Sequence, residues 1–405
     1  MDEFANAEVF GIVDEQTTPK DTHFDAWHRP RKHWIRSKQW WNALDELRKD
    51  RSHLYSNSFN ILTLPGGELL DIRYFYQQLR KNKSSTANVE RLRLTGFVNN
   101  LADYERAQRN LPLLGISDTS TGDSVIKHDN IDNLSRDGVL KKTFEDMGPF
   151  ELINLDYCNS IAPSGNNNRI ESIYKIVTHQ CQHQSKPWLL MFTTRTTKGS
   201  VSNTFFSSAE ELISNLLIES EDFLESFSNH YSDCLEITQQ NLFHEAAKLK
   251  LKEEYSSQFS EIFVVGLLAW LLSTAREHGV KVKLTSVVRY DVEGDKAESD
   301  MFSLVLRFEK IGRINADPTG IANVENSDFG LENRGKIASR VVSKVKKAKA
   351  VESILFSNPE IYREISQDLS IFLEECGKCM TTFWEEVCRE EVEKNGWTLE
   401  QVKRK

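Results

Sequence analysis

Cysteine is scarce in this chain. Six thiols are spread over 405 residues, too sparse for a disulfide framework. With nine prolines, 27% charged and 39% hydrophobic residues, the composition excludes collagen-like, mucin-like and globally disordered character. Positive charge is not in excess: 51 Lys and Arg stand against 60 Asp and Glu, a net charge of −9. Such a protein is not expected to coat nucleic acid indiscriminately, although a local basic patch can still attract phosphate. No apolar run is long enough to span a bilayer. The longest, 262–272, is followed by Ser273 and Thr274 and falls short of the roughly 20 residues required; it reads as a buried helix, and no membrane partner is expected. No hydrophobic leader opens the chain, which begins MDEFANAEVF, so a reduced, cytoplasmic setting is expected.

Several catalytic signatures are missing as well. There is no G-x-x-x-x-G-K-[ST] loop, no H-E-x-x-H and no G-x-S-x-G. Nucleotide hydrolysis, zinc proteolysis and α/β-hydrolase chemistry therefore have no support. Cys376 and Cys379 form a lone C-x-x-C, and no histidine lies near them to complete the four ligands of structural zinc. His179, Cys181 and His183, at spacings of two, cannot share one helix face. No metal is expected.

What is present is an alternation of short apolar runs and helical periods. The length allows two or three domains. Residues 1–22 are polar and aperiodic and read as a flexible arm. Strand candidates follow at 59–64 (FNILTL), 91–98 (RLRLTGFV), 125–128, 150–155 (FELINL) and 188–193 (WLLMFT). Helical spacing at 68–79 and 101–109 lies between them. Ser208 with Glu211 reads as a capping box that opens a helical region running, with breaks, to His278, where Gly279 is a plausible stop. Two further strands, 281–290 and 301–308, flank a polar loop and read as a hairpin. These elements make 23–312 an α/β domain, and 313–405 a helical C-terminal extension.

Charge is blocked along the chain. Between His28 and His53, eight cations stand against three carboxylates, and Trp27, Trp34, Trp40 and Trp41 lie in or beside the same stretch. Arg29, Arg31, Lys32, Arg36 and Lys38 are candidates for phosphate contact, with tryptophans stacking on bases. The competing reading packs most of the tryptophans against the sheet and leaves the cations to water. A second basic block spans 331–350, and an acidic one spans 351–394. These neighbouring blocks could pair with each other, or offer a surface to a protein partner.

Five alternating strands, a long helix and a closing hairpin resemble the class I S-adenosylmethionine-dependent methyltransferase fold. The resemblance covers about residues 59–308 and rests on element order. It implies a Rossmann-like sheet with an antiparallel closing hairpin, and S-adenosylmethionine as cofactor. The family's glycine loop corresponds to Leu64, Pro65, Gly66 and Gly67, without the acidic residue that usually precedes it. The ribose-binding acid corresponds to Asn99 or Asn100, and Asp129 stands where the family often contacts adenine. The run Asn154-Leu155-Asp156-Tyr157-Cys158 looks like the DxDPFGS pattern of transfer-RNA guanine methyltransferases, which makes Asp156 and Tyr157 the candidate catalytic residues. The resemblance implies methyl transfer to a nucleic acid. The rival is a catalytically silent protein of the same fold, acting as a binding or scaffold component of a larger assembly such as bacterial defence.

Overall fold

The computed structural model describes residues 20–50, 58–81, 91–114, 124–165, 168–241, 244–249, 256–292, 300–311 and 333–403. Most of the expected arm, 1–19, lies outside them. The sheet is built from β1 (Ser58–Thr63), β2 (Arg91–Val98), β3 (Val125–His128), β4 (Leu152–Asp156), β5 (Trp188–Arg195), β8 (Val280–Tyr290), β9 (Met301–Lys310) and β10 (Lys349–Ala350). A separate hairpin joins β6 (Leu235–Asn241) to β7 (His244–Leu249). Strand order in the main sheet is β10-β8-β9-β5-β4-β1-β2-β3. Strands β1 to β5 are mutually parallel, whereas β9 runs antiparallel between β5 and β8. Parallel strands outward from β1 in both directions, closed by an inserted antiparallel strand, are the class I methyltransferase arrangement.

Both faces of the sheet are buried, which explains why its strands read as continuous apolar runs. Successive side chains point to opposite faces. In β5, Leu190 and Phe192 join one core while Leu189 and Met191 join the other. The first core is covered by α5 (Gly138–Met147), α6 (Asn168–His183), α7 (Asn203–Glu219), α8 (Glu221–Tyr231), α9 (Ser256–Glu277) and α10 (Arg334–Lys346). The second is covered by α1 (Pro30–Trp34), a π-helical turn (Ile35–Trp40), α2 (Trp41–Asp50), α3 (Leu70–Lys81), α11 (Val351–Leu355) and α12 (Pro359–Glu375); α4 (Leu101–Asn110) adds Ala107. Helix α9 is apolar and long enough to cross a membrane by length and composition, yet Ile262, Phe263, Val264, Leu267, Leu268 and Leu271 are all buried against this fold.

The C-terminal residues straddle the sheet. Helix α10 packs on α8 and α9, the chain then crosses the sheet edge as β10 beside β8, and α12 lands on the opposite face against α1. Two local expectations fail. The helix expected to open at Ser208 opens at Asn203, because Ser202 has the extended backbone a cap requires and accepts the Phe205 N–H; Ser208 lies inside the helix and its hydroxyl donates to the Thr204 carbonyl. The expected helical region is also interrupted by the β6–β7 hairpin, whose strands complete each other's backbone hydrogen bonds away from the main sheet. Gly279 does follow α9 with φ +67, the left-handed conformation that ends a helix.

Candidate functional site

Open α/β sheets bind ligands outside the carboxyl ends of their strands, where strand order reverses. Here that point is β1, with β4 on one side and β2 on the other. A cleft of about 400 Å³ opens there, lined by the chain segments that leave β1, β2, β3 and β4. Its size falls within the range of small-molecule sites.

The segment leaving β1 is a braced turn. Leu64, Pro65, Gly66, Gly67 and Glu68 all line the cleft. Gly66 has φ +62, and a Cβ there would meet no atom within 4 Å. Gly67 lies against α4: a Cβ would stand 3.0 Å from the Asp103 Oδ1 and the Arg106 Cδ. Asn110 donates to the Gly67 carbonyl at 2.9 Å, and Arg73 donates to Asn110 at 2.8 Å and to the Glu68 carbonyl at 2.9 Å. Leu69 then takes φ 57, rare for a side chain of this size, with its side chain fully buried in the second core. Backbone strain of this kind persists where surrounding packing holds it.

Beyond β2, Asn99 lines the cleft, whereas Asn100 does not; Asn100 caps α4 by accepting the Asp103 N–H at 3.0 Å. Asp103 itself lines the cleft, a carboxylate that sequence reading passed over because it sits in the first turn of a helix. Beyond β3, Asp129, Asn130 and Asp132 line it. Asp132 is buried and engaged: Arg169 contacts it at 2.8 Å and the Tyr157 hydroxyl donates to it at 3.2 Å. Asp103 and Asp129 have no cationic partner among the described residues.

Beyond β4, Asp156, Tyr157, Cys158 and Asn159 line the cleft. Tyr157 is buried beneath the Arg169 guanidinium, 4.2 Å from its ring centre. Burial, reinforced by Asp132, pushes its hydroxyl well above the ordinary range, so it stays protonated and serves as a donor, not a base. Asp156 Oδ1 accepts the Lys32 ammonium at 2.6 Å and the Thr193 hydroxyl at 2.7 Å. Asp156 Oδ2 has no hydrogen-bond partner among the described residues. Lys32 is also held over the rings of Trp40 and Tyr290, at 4.7 and 5.6 Å. Burial alone would lower its pKa; Asp156, with Tyr290 and Asp71, more than offsets that and raises it, so the ammonium stays charged. Burial pushes Tyr290 up to about 12.

For three of the five N-terminal cations the structure argues against the expected phosphate contact. Arg31, Lys32 and Arg36 are buried, and a buried cation requires a counter-ion in place. Arg31 pairs with Glu391, Lys32 with Asp156, and Arg36 with Asp71 at 2.7 Å. Arg29 lies 3.6 Å from Glu391, and exposed Lys38 lies 2.7 Å from Glu364. Most of the tryptophans pack, as the competing reading has it: Trp40 and Trp41 are buried, while Trp27 is 42% exposed and lines the cleft. The acidic C-terminal block thus supplies counter-ions to Arg29, Arg31 and Lys38 of this N-terminal segment.

The same clamp reaches the glycine loop. Lys378 lies 2.9 Å from Glu68 and 2.7 Å from Asp21. His28 accepts the Asp25 N–H at Nδ1, leaving Nε2–H to donate to Glu68 at 2.5 Å. Burial keeps His28 below its usual range and hence neutral. Burial would raise the Glu68 carboxyl, but the His28 and Lys378 contacts bring it down to about 2.

The fold and cleft define a protein of the class I methyltransferase fold. Within that class, the chain belongs to the PP_RS20740-like family, whose model matches residues 21–380. None of the curated proteins matches it. Among solved structures, it is similar to the methyltransferase domain of bacterial CtHen1 (11% identity, 68% of this chain, 100% of that one, TM-score 0.33). It is also similar to Trm1 from Pyrococcus horikoshii, solved with S-adenosylmethionine (11%, 69% of this chain, 56% of that one, TM-score 0.34). An rRNA methylase from Streptococcus thermophilus is a third (9%, 66% of this chain, 97% of that one, TM-score 0.28). The fold assignment rests on the strand order itself.

Proposed function

We propose that this protein binds S-adenosylmethionine in the cleft and transfers its methyl group to a nucleic acid. The observation that carries the reading is the open cleft at the switch point of a methyltransferase-ordered sheet, with every expected cofactor residue on its wall: Leu64, Pro65, Gly66, Gly67, Asn99 and Asp129. The residues fit the cofactor chemically. Its ribose hydroxyls and adenine amine are donors, and Asp103 and Asp129 are cleft carboxylates without a cationic partner among the described residues. Asn99 and Asp103 would take the ribose, Asp129 and Asn130 the adenine edge, and the braced 64–68 turn would admit the backbone close to the ligand.

The bound cofactor supplies an electrophilic methyl group on a sulfonium. What this chain contributes is position. Lys32 and Thr193 both fix Asp156 through Oδ1, which leaves Oδ2 to accept a hydrogen bond from the methyl acceptor and orient it. The buried Lys32 charge repels a second ammonium at this corner, so a neutral ring nitrogen suits it better than an alkylamine. A silent binding protein is the rival reading, favoured by the lack of an acidic residue just before the loop and by Lys32 seated on Asp156.

Calorimetric titration with S-adenosylmethionine and S-adenosylhomocysteine tests the cofactor. Micromolar binding is expected. Asp103→Ala should weaken it by roughly tenfold, about 1.4 kcal/mol. Absence of binding at high protein concentration overturns the reading. A radiolabelled methyl-transfer screen over RNA and DNA then separates enzyme from silent binder: turnover that Asp156→Ala abolishes supports the enzyme, and binding without turnover supports the rival.

A further inference from the structure

We infer that a second surface, separate from the buried N-terminal cations, binds nucleic-acid phosphates: the basic strip formed by α10 and the edge strands β8 and β10. Along α10, Lys336, Arg340 and Lys344 recur at every fourth position, so they lie in one row at a rise of about 6 Å per step. Lys347 extends the row, Lys283 adds to it from β8, and Lys349 stands on β10. All six side chains are exposed.

Lys283, Lys336, Lys344, Lys347 and Lys349 have no carboxylate partner among the described residues. Nearby carboxylates are already committed: Glu261 to Lys346 at 3.0 Å and to Arg289 at 3.6 Å, and Glu219 to Arg334 at 3.9 Å. Lys344 feels the crowding. Burial is the main influence lowering its pKa, and the like charges of Lys283 and Arg340 lower it further. In a chain of net charge −9, where Arg31 and Lys38 of the other basic segment are matched by C-terminal carboxylates, five lysines without a carboxylate partner among the described residues are a localised exception.

The kind of partner follows from what the strip lacks. Membrane-surface helices carry an apolar face beside their cations. Protein interfaces centre on aromatic or apolar anchors. Among the described residues, no exposed large hydrophobic side chain lies on α10, β8 or β10. A phosphate backbone needs no such anchor, because cations that release counter-ions supply the affinity. The strip also runs toward the cleft end of the sheet. Strand β8 is parallel to β5, Lys349 is in register with Val288, and Tyr290 two residues on contacts Lys32 beside Asp156. A strand lying on it would be led toward the cleft mouth.

This surface names the acceptor class of the proposed methyl transfer, and it uses that reading only for the direction of the bound strand. The test is fluorescence anisotropy of the full chain with labelled single-stranded RNA, single-stranded DNA and duplex DNA, across a salt series. Wild type is expected to bind at low salt, with affinity falling linearly on logarithmic axes. The triple variants K283E/K344E/K347E and K283Q/K344Q/K347Q should bind at least about tenfold more weakly, with a salt slope shallower by about 2 to 3. Lys38→Gln should leave both unchanged. No binding of any nucleic acid by wild type at low salt, or binding that survives both triple variants, overturns the inference. So does tighter binding to phosphatidylserine vesicles or to polyglutamate than to nucleic acid. Thermal unfolding and S-adenosylhomocysteine calorimetry on the same preparations show that the variants are folded. They also keep a failure of the cofactor reading separate from a failure of the strip.

Discussion

The two basic segments look alike in sequence and are opposites in structure. In the N-terminal segment Arg31, Lys32 and Arg36 are buried, each against a carboxylate from a distant part of the chain. In the strip, Lys283 and Lys347 are exposed, Lys344 donates to the Leu284 carbonyl, and none of the three has a carboxylate partner among the described residues. The difference shows that charge density in a sequence does not distinguish a binding surface from a structural clamp. Counter-ions supplied by the fold distinguish them. The acidic C-terminal helices neutralise the segment they are packed against, and that is the one farther away in sequence.

The comparison can be broken most severely at Glu391. It is nearly buried and receives Arg31 and the Tyr362 hydroxyl, the latter at 3.0 Å. Glu391→Ala leaves a buried cation without its main partner and should destabilise the protein by about 3–5 kcal/mol in chemical denaturation. An effect under 1 kcal/mol would show that the clamp is incidental.

Acid should loosen the same clamp through His33. Its Nε2 lies 2.8 Å from Asp368, while its buried Nδ1 has no hydrogen-bond partner among the described residues. A proton on Nδ1 would therefore go unsolvated. Burial, outweighing the Asp368 contact, brings this histidine from 6.5 down to about 4. The unfolded chain thus takes up the proton first as pH falls. Stability from neutral His33 is complete above 6.5 and is lost between 6.5 and about 4, on the order of 3 kcal/mol in all. Denaturation curves at pH 7 and pH 4.5 should differ less in His33→Asn than in wild type; equal differences would refute the assignment.

Smaller effects sharpen the contrast at the exposed ends. Lys38 and Glu364 are both well exposed, so Lys38→Ala should cost under about 1 kcal/mol. On the strip, Lys344→Gln relieves like-charge crowding but gives up the hydrogen bond to the Leu284 carbonyl, and should change stability by no more than about 1 kcal/mol. A loss of 2 kcal/mol there would mean that Lys344 is a structural cation after all.

Much of the fold was legible because it rests on local pattern. The turn at Pro65, Gly66 and Gly67 marked the exit of β1, and short apolar runs marked β2, β4, β5 and β9. The β6–β7 hairpin escaped because its residues show no clear period-two alternation in a stretch read as helical. In the cleft, the turn and the strand tips were legible because glycine and acidic residues follow apolar runs there. Asp103 and Arg169 were not, since each is an ordinary polar residue in a helix until that helix is placed against a strand tip.

The sequence by itself determined the alternating α/β order, the apolar strands buried on both faces and the turn at the switch point. These depend on periodicity and on backbone preferences confined to a few residues. Only the tertiary structure decided which charges meet. Lys32 finds Asp156 across 124 residues and Arg31 finds Glu391 across 360, separations over which sequence carries no pairing signal. Burial then fixed the outcome: a cation removed from water must have its counter-ion, whereas one left on the sheet edge keeps its charge for a partner.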